Sequence, residues 1–286
     1  MNSKIKKNVL KGSLFIVSTP IGNIKDITLR AIKVLSEADV VAAENTRQAL
    51  KLGKLLNLSF KKLISYNENN SSTKDRSIIN LLLQGSNVCI ISDAGTPLIS
   101  DPGRLLLNEC LNENINVVPI PGVSAITTSM SISGFKDQFL FYGFLPKKNN
   151  ELDKTLGLLS KCKFSQIFFI PAVKINFYFK KFAEFFHGRK FLISKELTKI
   201  HEAFYRGEIN NLKLFKFSLK GELTVIISED NNNKKKFDQN KIINRAKKLL
   251  KKYSLKDTVD LIVETENENK KKIYQLCLNI KNEKNI

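Results

Sequence analysis

The chain of 286 residues is long for a single hydrophobic core, and its 42% hydrophobic and 9% aromatic content excludes a wholly disordered protein. No apolar run approaches the ~20 residues of a membrane span, and the formal net charge of +20 points to a polyanion such as RNA as partner. Lysine far outnumbers arginine in a chain rich in Lys, Asn and Ile, a bias that AT-rich coding also produces, so part of that charge need not serve recognition.

Residues 1–11 are basic and polar without an apolar segment, and read as a tail with no secretory signal. Residues 14–18 form a short apolar strand ending in the turn Thr19-Pro20-Ile21-Gly22-Asn23, and Asp26 is expected to open a helix over 27–38. Strand 40–43 delivers Glu44-Asn45-Thr46-Arg47 to its carboxyl end and is followed by a helix through Leu56; strand 63–65 delivers Tyr66-Asn67-Glu68-Asn69-Asn70. Helix 75–83 precedes the stretch 88–103, where a continuous apolar run, the mark of a buried strand, breaks into a loop with two Ser-Asp-x-Gly units. Gly95 and Gly103 permit backbone angles closed to other residues, Pro97 and Pro102 fix φ, and Asp93 and Asp101 supply acceptors, so a small molecule is expected beyond this strand end. Helix 105–112 and strand 116–120 complete an alternating lobe with a largely parallel sheet, and Pro121-Gly122-Val123-Ser124-Ala125 starts the next helix.

Beyond Gly134 the pattern changes to strands over 139–144, 167–170, 190–194, 203–207 and 223–228 with fewer helices, which predicts a second lobe with a mixed sheet. A polar linker over 231–236 leads to three amphipathic helical stretches, 242–252, 255–265 and 270–280. The expected organisation is a tail (1–11), a first α/β lobe (12–120), a second (121–230), and a linker with a small helical module (231–286).

Cys89, Cys110, Cys162 and Cys277 lack the close pairing of zinc sites or disulfide scaffolds, which fits a reducing cytoplasm. With only His187 and His201 there is a poor ligand set for a transition metal and no case for a Ser-His-Asp system, so no catalytic metal is expected. G-x-G-x-x-G and Walker A loops are absent, and Gly122-Val123-Ser124-Ala125-Ile126 lacks the closing glycine of a nucleophile elbow.

The segments Thr19-Pro20-Ile21-Gly22-Asn23, Asp26-Ile27-Thr28-Leu29-Arg30-Ala31, 92–103, Pro121-Gly122-Val123-Ser124-Ala125 and Gly143-Phe144-Leu145-Pro146 closely resemble the tetrapyrrole-methylase superfamily. Lys195-Glu196-Leu197-Thr198-Lys199, His201-Glu202, Arg206-Gly207 and Gly221-Glu222-Leu223 continue the resemblance, which is strongest to the branch that methylates a cytidine 2′-hydroxyl in small-subunit ribosomal RNA. The resemblance implies a two-lobed, non-Rossmann α/β fold, S-adenosyl-L-methionine bent in a cleft between the lobes, and a homodimer; with no apolar span and the scattered cysteines, a cytoplasmic protein with no membrane partner is expected. Carried over residue by residue, it puts Asp93, Gly95, Thr96 and Pro97 beside the methionine and ribose of the cofactor, with Pro20, Gly22, Ser124, Ala125, Ile170, Leu223 and Thr224 completing the site. Candidate bases are Glu44, ranked first because a buried strand ends at it, then Glu68, Lys195 and Glu196. The family's Glu-Asp-Thr-Arg has Asn45 here, its Ser-Tyr-His-Glu has Asn67, and its Phe-Tyr-Glu-Ser-Pro-His-Arg is replaced over 168–174. These departures keep open an RNA-binding assembly factor of weakened catalysis, alongside a methyltransferase for a tetrapyrrole or a modified histidine.

Overall fold

Short, fully apolar runs of the kind found at Val40–Ala43 and Val88–Ile91 can be buried only when helices cover both faces of the sheet they form. In the computed structural model, which describes residues 10–216, 221–230, 239–266 and 270–282, this is how the first lobe is built. The tail over 1–9 and the linker over 231–238 lie outside the described residues. Strands β1 (Ser13–Val17), β2 (Val40–Ala43), β3 (Leu63–Ser65), β4 (Val88–Ile91) and β5 (Asn116–Ile120) pair in the order β3-β2-β4-β1-β5, all parallel. Helices α1 (Leu29–Glu37) and α2 (Thr46–Leu55) bury Ala31, Leu35 and Ala49 against Val41, Ala43 and Ile91 on one face. Helices α3 (Ser71–Leu83) and α4 (Arg104–Asn112) bury Ile78, Leu82 and Leu106 against Leu14, Ala42 and Ile90 on the other.

Two helix starts differ from expectation. Asp26 does not open α1: Ile24–Asp26 is a single 3-10 turn, and the helix begins at Leu29, where the Thr28 hydroxyl accepts the Ala31 N–H at 3.1 Å. Hydroxyl caps satisfy orphan N–H groups as carboxylates do, and the extended backbone of Thr28 decides between two adjacent candidates. Helix α3 starts at Ser71 rather than at residue 75, because its first turn is polar and carries no apolar period. Asp75 thus sits inside that helix, buried, accepting the Tyr66 hydroxyl at 2.7 Å.

The second lobe has α5 (Ala125–Ser131), β6 (Phe139–Phe144), α6 (Asn149–Leu159), β7 (Ser165–Pro171), α7 (Ile175–Phe185), β8 (Lys190–Lys195), β9 (Ala203–Glu208) and β10 (Glu222–Ile227). Its sheet runs β6-β7-β10-β8-β9, with β6 and β7 parallel and the remaining pairs antiparallel, the mixed sheet anticipated from the changed pattern. Alternation along β7, β8 and β10 sends Phe168, Ile193 and Val225 into one core with Leu152, Leu156, Phe179 and Phe182 of α6 and α7, two helices the sequence pattern did not single out. The intervening Ile167, Leu192 and Ile226 face Ile126 and Met130 of α5.

Contacts divide the chain into two compact units, Met1–Asp230 and Asn231–Ile286. In the second unit α8 (Gln239–Leu249), α9 (Leu255–Glu266) and α10 (Lys270–Asn282) enclose their own core of Ile242, Ala246, Val259, Ile262, Ile273, Cys277 and Ile280. Ser254 starts α9 by accepting the Asp257 N–H at 3.2 Å. Among the described residues, no helix is long and apolar enough to cross a membrane.

Candidate active site

Neighbouring strands β1 and β4 send their chains in opposite directions, to β2 and to β5, and an open α/β sheet leaves a crevice beyond the carboxyl ends of such a pair. Here the two loops are tied to each other: Thr19 and Gly95 exchange N–H···O bonds of 2.9 and 3.0 Å. The loop after β4 turns sharply, with left-handed φ at Gly95 (+80°), Leu98 (+69°), Ser100 (+71°) and Gly103 (+122°). For Leu98 and Ser100 that conformation costs on the order of 1–3 kcal/mol each, and such strain concentrates at ligand sites. Gly143, in the bulge of β6, would bring a Cβ to 3.2 Å from Ser100 Oγ, so the second lobe closes directly on this loop.

The result is a cleft of about 560 Å³ between the two sheets, within the roughly 300–1,000 Å³ usual for small-molecule sites. Asp93, Gly95, Thr96, Ser124, Ala125, Ile170, Leu223 and Thr224, all expected at a cofactor site, line it. Ser124 occupies the N-cap position of α5 without a side-chain capping bond. Pro20 and Gly22 line an adjoining groove of about 470 Å³ instead, and Pro97 lines neither. Gly22 has another reason to be glycine: a Cβ there would lie 2.8 Å from Thr198 Oγ1 and 2.5 Å from Lys199 Cγ, so it allows the first-lobe loop to meet the turn after β8. Gly122 likewise would place a Cβ 2.8 Å from that of Ser18.

The candidate bases separate clearly. Lys195 donates to the His201 carbonyl at 3.2 Å and lines neither cavity. Glu196 accepts the Glu222 N–H and the Lys199 ammonium, both at 3.1 Å; burial raises its pKa, but these two partners outweigh burial and hold it below the ordinary value. Glu68 is exposed and lines a polar pocket of about 500 Å³ at the ends of β2 and β3. Glu44 borders both that pocket and the main cleft, with one oxygen accepting the Asp93 N–H at 3.3 Å. Asn45 caps α2 through its bond from the Arg47 N–H at 3.1 Å, and Asn67 shapes its turn by accepting the Asn69 N–H at 3.1 Å. Both departures thus carry local structural duties. Of the other replaced stretch, Phe169, Ile170 and Pro171 line the cleft, while Val173 and Lys174 are exposed.

Asp101, Phe169, Ser194 and Lys199 also line the cleft and were not among the expected site residues. Asp101 belonged to a loop already singled out; Ser194 and Phe169 sit inside strands and had no signal beyond alternation. Asp101 is pushed up to about 6, first by burial and then by the charge of Glu44. The same two causes raise Asp93. A carboxyl whose folded pKa exceeds its unfolded value costs stability once it ionises, and the cost fades as pH falls through about 6 towards the unfolded value. Asp101→Asn is therefore expected to raise Tm at pH 8 by about 2–4 °C and to make no difference near pH 4, which melting curves across that range would check.

Residues 13–213 match the family model described as tetrapyrrole (corrin/porphyrin) methylases. Proteins named ribosomal RNA small subunit methyltransferase I are similar over most of their length. The one from Thermotoga maritima is 40% identical over 221 residues, 76% of this chain and 98% of the relative; that from Rickettsia prowazekii is 42% identical over 77% and 79%. The Bacillus subtilis protein of that name is 37% identical over 77% of this chain and 76% of its own. Among solved structures, the uroporphyrin-III C-methyl transferase from Thermus thermophilus complexed with S-adenyl homocysteine superposes with a TM-score of 0.55 at 15% identity, covering 76% of this chain and 98% of that one. The methyltransferase CobJ gives 0.57 at 16%, over 77% and 95%, and likeness at this identity speaks for the fold alone.

Proposed function

The chain belongs to the tetrapyrrole methylase family, and from that premise we propose that it transfers the methyl group of S-adenosyl-L-methionine to the 2′-hydroxyl of a cytidine in small-subunit ribosomal RNA. The observation that carries this reading is the charge inside the cleft. A protein of formal net charge +20 lines its cleft with Glu44, Asp93 and Asp101, two of which are held above the ordinary carboxylate range by burial and mutual repulsion. A cationic ligand relieves that repulsion, and the apolar walls at Ile126, Phe169 and Leu223 suit a flat heteroaromatic group. S-adenosyl-L-methionine combines both and supplies a methyl group activated by its sulfonium charge.

What the chain itself contributes is position and a proton acceptor. Asp93 and Asp101 hold the cationic end, and Gly95, whose missing Cβ keeps its backbone open, allows close approach. Glu44 stands where the polar pocket meets the cleft, so a ribose entering through the pocket presents its hydroxyl between Glu44 and the methyl donor. With the cofactor bound, the attacking hydroxyl oxygen would gain the methyl group as the carbon–sulfur bond breaks to leave a neutral thioether, and Glu44 would take the hydroxyl proton. Relatives 34–42% identical carry the ribosomal RNA name, whereas the tetrapyrrole enzymes match at 15–17%, which ranks the tetrapyrrole substrate second. A ribosomal substrate places the protein in the cytoplasm. The exposed apolar residues Phe139, Leu140 and Tyr142 on edge strand β6 support a homodimer.

Purified protein given methyl-labelled cofactor and unmethylated small subunits is expected to label RNA at a cytidine, located by cleavage that a 2′-O-methyl group blocks. Label on protein or on an added tetrapyrrole, with none on RNA, overturns the reading.

A further inference from the structure

The three central strands of the second sheet place Phe169, Thr224 and Ser194 in one cross-strand row: Thr224 is the register partner of Phe169 on one side and of Ser194 on the other. Paired residues share a face, here the one covered by α5, and all three line the cleft. Ser194 is only 1% exposed, and its hydroxyl has no hydrogen-bond partner among the described residues. An unpaired buried hydroxyl costs free energy that a neighbouring apolar residue would avoid, so one at a ligand cavity wall points to a group the ligand brings.

We propose that the Ser194 hydroxyl is a specificity-determining contact to the purine of the cofactor, donating to a ring nitrogen or accepting from the exocyclic amine. The inference rests on the cofactor reading above. The cleft itself decides which end of the ligand reaches Ser194. Of its carboxylates, Glu44, Asp93 and Asp101 belong to the first lobe, whereas Glu196 and Glu222 of the second are met by the Lys199 ammonium at 3.1 and 4.0 Å; the first-lobe group attracts the sulfonium and ammonium charges, which leaves the uncharged heteroaromatic end for the row on the second lobe. There Phe169, backed by Phe141 at 5.1 Å and Phe144 at 5.5 Å between ring centroids, offers an aromatic wall. A hydroxyl beside an aromatic wall accepts a purine over an apolar ring of equal size, because only the purine satisfies it.

Ser129 of α5 provides an internal control: its hydroxyl is also fully buried and has no partner among the described residues, but it does not line the cleft. Calorimetric titration of wild type, Ser194→Ala and Ser129→Ala with S-adenosylhomocysteine and with 5′-methylthioadenosine, paired with melting curves, tests the assignment. Ser194→Ala is expected to weaken both ligands by the same factor, roughly three- to tenfold, while melting no lower than wild type. Ser129→Ala should melt no lower and keep wild-type affinity. Ser194→Cys, nearly isosteric but a poorer hydrogen-bonding group, should weaken binding in the same way and separates lost bonding from lost packing. Wild-type affinity in both Ser194 variants overturns the assignment, as does a loss confined to S-adenosylhomocysteine, which would put the contact at the amino-acid end. Failure of the unmodified protein to bind S-adenosylhomocysteine would instead remove the cofactor reading on which the assignment stands.

Discussion

Alanine in place of Lys247, Lys248, Lys251 and Lys252 is expected to reduce the slope of log affinity for small-subunit RNA against log salt by about three units. Each phosphate contact contributes roughly 0.7–0.9 to that slope, so four contacts account for the change. Near physiological salt the same loss corresponds to roughly a hundredfold to a thousandfold in affinity. All four side chains are exposed, and spacings of four residues pair Lys247 with Lys251 and Lys248 with Lys252 at the end of α8 and just beyond it. The helical unit that carries them has its own apolar core, with Ile242 and Ala246 on the buried side of α8, so replacing surface lysines leaves packing intact. The cofactor cleft lies wholly within residues 1–230, and affinity for S-adenosylhomocysteine should stay at the wild-type value. Fluorescence anisotropy with a labelled RNA fragment over a salt series measures the slope. An unchanged slope would assign the unit to packing or dimerisation instead of RNA binding.

Glu44→Gln should lower the rate of methyl transfer at saturating cofactor about a hundredfold to a thousandfold. General-base catalysis is worth roughly 10²–10⁴, and the amide keeps the size of the side chain while losing its ability to take a proton. Of the four candidates, Lys195 lines neither cavity, Glu196 lines the main cleft but is paired with the Lys199 ammonium, and Glu68 is in contact with the polar pocket alone, whereas Glu44 lines both chambers. Removing its charge should also bring Asp101 back down from about 6, since Glu44 is the second cause of that shift. Single-turnover kinetics with bound cofactor separates the chemical step from binding. A variant that methylates at the wild-type rate would exclude Glu44 as the base, and the same measurement on Glu68→Gln would then test the remaining carboxylate of the pocket.

Much of this molecule follows from local pattern. Runs such as Val40–Ala43 and Val88–Ile91 have no alternative to burial on both faces, so strands, their parallel pairing and the loops at their ends are readable from residue order. The change to a mixed sheet beyond Gly134 is legible for the same reason, as strands follow one another with shorter connections. Helix starts are less so, because Asp26 and Thr28 are both competent caps and only the backbone conformation chooses Thr28. Local pattern also singled out the loop after β4, where glycines and prolines announce an unusual path, and strong family motifs extend that reading to S-adenosyl-L-methionine. Tertiary structure decided what no window of sequence contains. It placed Glu44 alone of the four candidate bases on both the polar pocket and the main cleft, and it turned Gly22 into a close-packing point between lobes rather than a lining residue of the main cleft. It also aligned Phe169, Thr224 and Ser194, separated by up to 55 residues, into one row through strand register alone. The physical reason is that burial and propensity act between neighbours in sequence, whereas mutual repulsion among Glu44, Asp93 and Asp101 and the unpaired hydroxyl of Ser194 exist only once distant strands have been brought into register.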